Sequence, residues 1–391
     1  MKRQLKRLAL DEGAAAVGVA SADRLGSVPS MDPNYLLPGA RSIVSFMLPL
    51  DGEILRRYLA KEDHDSLERH EVETYRELYR IGQRLASFLH SEGYRAVVAE
   101  PNLDYRYKDS PAYRRTPHKL RQMVMDWFAS ESHWAVTAVK GGLFKPLYLR
   151  DMNTTDWNLT PSFSHRYGAV AAGIGCFGWS GNVLHPDYGA RVYYNTVITD
   201  GVMKSDPFMK ESTCDGCRYC VRVCQSGMIR MKEEDHVRIG KRTFTHNRKA
   251  HNLRCILVCG GLSGQSLHRG WSTWSPGRVT LPETDEGIET FWHDFVLANG
   301  WKHNYTSKVL TDLVYHAEHG FVRRERDRFR TTCGFCQFVC SRTREERKAN
   351  YETILASGEV VEGPGFSFHA LKSESGKTRE RSAAYDQFQS E

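Results

Sequence analysis

Long apolar runs are missing from this chain. No stretch approaches the roughly 18 residues that a membrane span needs, so membrane attachment would require a partner. The basic opening MKRQLKRLAL runs straight into DEGAAAVGVA, with neither an uninterrupted apolar segment nor a twin-arginine signal, and reads as a first helix. Cytoplasmic residence is the expectation. A Walker loop is absent, as is any evident internal repeat or low-complexity block. Without a secretion signal, the ten cysteines argue against a disulfide framework and for metal. Net charge is a weak guide: the formal +7 counts cysteines as neutral, and thiolates around metal clusters would make the loaded protein less basic. The densest basic run, Arg323–Arg330 (RRERDRFR), carries two acidic residues and reads as a solvated helix face. An acidic partner, a small ferredoxin or tRNA, is the sharper alternative.

What is present points to a cofactor enzyme. The 391 residues, 40% of them apolar, suffice for one large domain or two ordinary ones. Residues 1–204 read as a catalytic α/β domain. Residues 205–345 hold all the clustered cysteines, and 346–391 form a polar extension. RSIVSFMLPL (Arg41–Leu50) and ARVYYNTVIT (Ala190–Thr199) are strand candidates entered from turns. In Tyr75–His90, Leu78, Ile81, Leu85, Phe88 and Leu89 share one helical face, and Glu92-Gly93 supplies a stop. Four of the eight tryptophans (Trp271, Trp274, Trp292, Trp301) lie between the two cysteine groups, as a small core or as the wall of a planar cofactor.

The run CDGCRYCVRVC has the spacing Cys214-x2-Cys217-x2-Cys220-x3-Cys224. Three close thiolates of such a run grip one iron–sulfur cube, and the fourth serves the other cluster. The chain must then supply a distant ligand for the first cluster and three for the second. CGFCQFVC and LRCILVCGG do so. The expected sets are Cys214, Cys217, Cys220 and Cys340 on one [4Fe–4S] cluster, and Cys224, Cys333, Cys336 and Cys255 on the other, with Cys259 as the alternative to Cys255. A zinc ribbon would not need so many cysteines in this order. Gln225 and Ser341 stand where such runs usually have proline, which puts the local turn in question. A free-standing electron carrier would not need the two hundred residues that precede the clusters.

AAGIGCFGWSGNVLHPDYG, followed by ITD, the cysteine run, LRCI and the final CGFCQFVC, resembles the corrinoid-dependent iron–sulfur reductases, which comprise reductive dehalogenases and epoxyqueuosine reductases. The resemblance covers about Gly39 to Cys340 and favours Cys255 as the ligand. It implies a nitroreductase-like α/β domain holding base-off cobalamin, followed by a ferredoxin-like domain with two [4Fe–4S] clusters. Gly175, Gly181, Asn182, Leu184 and His185 would then touch the corrin; a plain turn histidine is the other reading of His185. Arg166 and Arg191 would hold acidic groups of the cofactor or a leaving halide. The aspartate that epoxyqueuosine reductases carry shortly before a Pro-x-x-Glu-Arg element is missing near Asn158, with Asp156 displaced. A dehalogenase would instead draw on Tyr148 with Lys145, Asn158 and Arg191. Cys176, inside the glycine block, reads as a buried small side chain, with a thiol facing the corrin as the alternative. Together these imply a reductase that takes electrons from a ferredoxin or flavodoxin and dehalogenates an organohalide; action on tRNA is the alternative.

Overall fold

The computed structural model describes residues 1–101, 106, 160–259, 263–264, 270–277, 280–291, 332–362 and 368–371. Within them the two expected strands form and pair with each other. Strands β1 (Ala16–Ser21), β2 (Ser42–Pro49), β3 (Ala96–Val98) and β6 (Val192–Thr199) make an antiparallel sheet in the order β1-β2-β6-β3. Val44 sits opposite both Val19 and Val197. Side chains of a strand point alternately to its two faces. Accordingly, Val44 and Phe46 pack with helices α1 (Lys2–Asp11) and α3 (Asp65–Ser91), while Ile43 and Met47 pack with the helix His165–Ala171. A sheet buried on both faces explains why β2 and β6 read as nearly unbroken apolar runs.

In α3 the predicted stripe is core: Leu78, Ile81, Leu85 and Leu89 are fully buried, and Phe88 packs half-buried beside them. The helix stops just before Gly93 but starts ten residues earlier than its apolar stripe suggests. Those added turns bury Leu67 and Glu71, whose carboxylate accepts the Tyr193 hydroxyl while Tyr75 stacks on the Tyr193 ring at 4.4 Å. A paired polar group can occupy such a position.

A second core lies around the cysteines. Strands β4 (Cys176–Phe177) and β5 (Val183–Leu184) form a small ribbon, and β7 (Ile229–Ile239) and β8 (Arg242–Lys249) a hairpin. Helix α2 (Gly52–Leu59), capped by Asp51, and the helix Arg344–Ala356 enclose the cysteine segments; Leu55, Tyr58, Phe335, Phe338 and Ile354 are fully buried there. Trp271 stacks on Phe335 with ring centres 5.9 Å apart, and Trp274 donates to the Tyr58 carbonyl at 3.0 Å. These two tryptophans serve the small-core role; Trp292 and Trp301 lie outside the described residues. Strands β9 (Glu359–Glu362) and β10 (Phe368–Leu371) pair beyond it. The architecture is mixed α/β. No helix among the described residues is long and apolar enough to cross a membrane.

A candidate metal centre of two thiol sets

Two cysteine segments share one local design. Cys217-Arg218-Tyr219-Cys220 and Cys333-Gly334-Phe335-Cys336 each pass through a left-handed residue (Arg218 at φ 60°, Gly334 at φ 90°) into a four-residue helix, Tyr219–Arg222 and Phe335–Phe338. Each then ends on a cysteine, Cys224 or Cys340. The left-handed residue reverses the backbone between the two cysteines and lets the short helix begin at once. This repeat escapes the sequence, because the cysteines are almost all that matches.

The final thiol of each stretch crosses over. The Cys340 thiol is pushed up to about 11 by burial, with Arg347 opposing and Cys214 and Cys217 adding. That of Cys220 is raised by burial and then by Cys340, Cys214 and Cys217. The Cys224 thiol, raised by burial, feels Cys255 and Cys333 instead. Cys336 is raised by burial, then by Cys224, Cys333 and Cys255. The structure therefore brings together Cys214, Cys217, Cys220 and Cys340, and separately Cys224, Cys255, Cys333 and Cys336, with Cys220 bridging the groups. Cys259 joins the second group: its Sγ lies 3.5 Å from that of Cys255.

The surroundings fit a polynuclear anion better than a single ion. All four thiols of the first set line one pocket, walled also by Trp179, Leu184, Val339 and Arg347. Among the described residues no three cysteine sulfurs lie within 4.8 Å of one another. Thiolates on one zinc sit about 3.8 Å apart, given Zn–S bonds of about 2.3 Å. Cys224, Cys336 and Cys340 each keep accessible surface although burial dominates the upward shift of their thiols. Thiols held this way stay protonated near neutrality, and a cationic centre is what makes several thiolates tolerable in one cavity. Buried donors point the same way: among the described residues Arg191 Nη2 and Arg347 Nε have no acceptor, and Cys340 acts on both guanidinium groups. Arg347 pairs with Asp215 at 2.9 Å, the Trp179 amide donates to Cys214 Sγ at 3.4 Å, and Arg218 stacks over the Trp179 ring at 3.3 Å.

The glycine block ties the sheet to both sets. Gly173, Gly175 and Gly178 have the spacing Gly-x-Gly-x-x-Gly, but the run leaves a helix and enters a two-residue strand, the reverse of the strand-to-helix context of a dinucleotide site. A side chain at Gly175 would meet Val183 Cγ1 at 2.4 Å, so its close approach is taken up by β5. Leu184 is buried beside Cys176 and Ala190, and Cys176 is a buried thiol accepting from the Thr213 amide at 3.3 Å. His185 closes a turn: its amide donates to the Gly189 carbonyl, and its Nδ1 accepts from the Asp187 amide. Burial holds its pKa below the ordinary value. Arg191, expected near the chemistry, donates to the Phe338 carbonyl at 2.8 Å beside the first set.

Three of the expected contact residues gather at the second set. Arg166 donates to the Gly181 carbonyl at 3.2 Å, Asn182 Nδ2 reaches Cys336 Sγ at 3.9 Å, and Lys249 Cε approaches Gly181 so closely that a Cβ there would be 3.1 Å away. Lys249 went unnoticed in the sequence, since nothing marks one lysine in a polar hairpin until β8 folds against the glycine block. Arg166 and then burial lower its pKa to about 7, against the pull of Cys336, Cys255 and Cys224. His165 is bonded on both ring nitrogens, to Thr196 Oγ1 at 3.0 Å and the Glu100 carbonyl at 2.7 Å; burial lowers its pKa to about 4. Lys145, Tyr148, Asp156 and Asn158 lie outside the described residues.

No family model and no curated protein matches the chain. Among solved structures, a selenomethionine-labelled epoxyqueuosine reductase aligns at 18% identity over 68% of this chain and 58% of its own length, with a TM-score of 0.37. An epoxyqueuosine reductase from Bacillus subtilis aligns at 16% identity over 91% of this chain and 98% of its own, TM-score 0.37. A reductive dehalogenase whose structure suggests a mechanism for B12-dependent dehalogenation aligns at 14% identity over 79% of this chain and 36% of its own, TM-score 0.42. The chain thus spans little more than half of the first and about a third of the dehalogenase. Overlap of this kind is one of loose outline, and what the chain does is read from its own residues.

Proposed function

We propose that the chain is an oxidoreductase whose two thiol sets hold two [4Fe–4S] clusters and whose glycine block holds a corrinoid, and that it reductively dehalogenates an organohalide. One observation supports the reading: Cys340 lines one pocket with Cys214, Cys217 and Cys220, while Cys224 is acted on by the charges of Cys255 and Cys333, as the interlocking of a two-cluster ferredoxin run would require. Cys214, Cys217, Cys220 and Cys340 would hold one cluster, and Cys224, Cys255, Cys333 and Cys336 the other. Arg191 and Arg347 offset the negative charge of the first. The corrinoid would rest against Arg166, Gly181, Asn182 and Lys249, beside the second set, and when bound supplies a strongly reducing cobalt able to cleave a carbon–halogen bond.

Asn182 links the two compartments by contacting Cys336 from within the glycine block. Arg166 and Lys249, which have no carboxylate partner among the described residues, would hold negative charge there, whether on the cofactor or on departing halide, and an anion would draw the proton onto Lys249. The proton for the carbon is assigned to the segment with Lys145, Tyr148, Asp156 and Asn158. Dehalogenation is favoured over epoxyqueuosine reduction by the stretch around Asn158, which lacks the aspartate expected there, with Asp156 displaced. A low-potential ferredoxin or flavodoxin is the fitting donor, and 1–204 and 205–345 are the corresponding domains.

Anaerobic purification with iron, sulfide and cobalt counts is the test, with about eight irons and one cobalt expected per chain. Cys224→Ala should empty the second set alone, and Cys340→Ala the first alone. Zinc, or four irons in the unaltered chain, would sink the ligand assignment. Turnover of halogenated phenols and not of epoxyqueuosine-modified tRNA is expected; the reverse would transfer the chain to the tRNA reading.

A further inference from the structure

The second set contains one thiol more than four irons need. Cys255 and Cys259 lie one turn apart on the helix Leu253–Cys259, so both face the same side, and their sulfurs are in contact at 3.5 Å. The helix is fixed from two directions. Arg254 points away and binds Asp285 Oδ1 at 2.7 Å and the Pro282 carbonyl at 2.9 Å. The far end is clamped to the other cysteine segment: the Thr332 amide donates to the Cys259 carbonyl at 3.2 Å, and Thr332 Oγ1 to that of Val258 at 2.9 Å. Thr332 directly precedes Cys333, so the clamp holds Cys259 beside that residue. Cys259 is therefore bracketed by two members of the set, Cys255 on its own helix and Cys333 across the clamp.

We propose that Cys255 and Cys259 are exchangeable ligands of the same iron in the second cluster. This rests on the two-cluster reading and deepens it. Exchange breaks the iron–sulfur bond to one cysteine and makes that to the other, and the proton on the incoming thiol passes to the outgoing sulfur along their contact. No electron is transferred, and no co-reactant is needed. Both side chains stem from one rigid helix, so rotamer changes suffice and the backbone need not move.

The test uses the full chain, loaded anaerobically with iron and sulfide, as Cys255→Ala, Cys259→Ala and the double variant. Each single variant should keep about eight irons, and the double variant about four, those of the first set. The reduced Cys255→Ala protein should retain its second cluster signal in electron paramagnetic resonance with altered g values, since the ligand has changed. Loss of about four irons from either single variant would show one fixed ligand and overturn the proposal, as would a double variant that keeps eight. The four irons of the first set report folding in every sample, and Cys255→Ser repeats the measurement with the cavity filled. Failure of the two-cluster reading itself would look different: the unaltered chain would then fall short of eight.

Discussion

The four-stranded sheet and the thiol core sit side by side in one chain but are held by opposite physics. The sheet is self-sufficient. Its strands satisfy one another's backbone groups, and Val19, Val44, Phe46, Ile81 and Leu85 close one face, where the buried polar groups Asn195 and Glu71 are paired with the Leu78 carbonyl and Tyr193. The thiol core is not. It has two four-residue helices, thiols that raise one another's proton affinity, and guanidinium donors on Arg191 and Arg347 without acceptors. Helices that short do not persist on their own. The difference teaches where folding energy comes from: apolar burial in one region, ligand binding in the other.

The strongest way to break that comparison is to withhold iron. In the iron-free chain, amides of β1, β2 and β6 should remain protected from hydrogen exchange, while segments 214–224 and 332–341 exchange at least about 10³-fold faster than in the loaded protein, equivalent to about 4 kcal/mol. Equal protection of both regions, with or without iron, would mean that the thiol core folds by its apolar contacts alone.

Core truncation sharpens the contrast. Leu85→Ala should cost about 2–5 kcal/mol in chemical denaturation of both iron-free and loaded protein, because its cavity opens in the self-sufficient half. Phe335→Ala, at an equally buried site, should cost about 3–5 kcal/mol in the loaded protein and almost nothing without iron. A matching loss in the iron-free Phe335→Ala chain would contradict the division.

The same division explains what the sequence discloses. β2, β6 and the stripe of α3 are legible because burial writes a periodic apolar pattern. The expected grouping of the thiols has a different source: ligand chemistry permits few residue types, so spacing narrows the sets while leaving Cys255 and Cys259 as alternatives. The first turns of α3 are not legible, since Glu71 is a charged residue whose burial depends on Tyr193, more than a hundred positions away. Lys249 is hidden for the same reason. Its meaning comes from Arg166, Gly181 and the thiols around it, which only the folded hairpin assembles. The left-handed Arg218 conceals the repeat, because its counterpart Gly334 is the residue that usually marks such a turn.

Acid offers a smaller lever on the sheet half. His165 has its pKa lowered from 6.5 to about 4 by burial, so the folded chain resists a proton that the unfolded chain accepts. Its contribution is complete above about pH 6.5 and declines as the pH falls towards 4, by at most about 3 kcal/mol. In the iron-free chain, urea midpoints measured from pH 7 to pH 4.5 should fall more steeply for the unaltered protein than for His165→Gln. Parallel profiles would show that the ring is not held neutral by the fold.

The smallest expected effect probes the seam between the two regions. Tyr58, on α2 and fully buried, donates from its hydroxyl to the Cys333 carbonyl at 2.7 Å, and its ring meets Phe335 and Phe338 edge-on at 5.9 and 5.7 Å. Tyr58→Phe keeps the ring contacts and removes only the donor, leaving the Cys333 carbonyl without its partner. The cost should be about 1–2 kcal/mol in the loaded protein, where that carbonyl is locked in place beside the second thiol set. In the iron-free protein the segment can turn the carbonyl towards water, and the cost should vanish. An equal loss in both states would place Cys333 in the self-sufficient part of the fold and move the boundary between the regions.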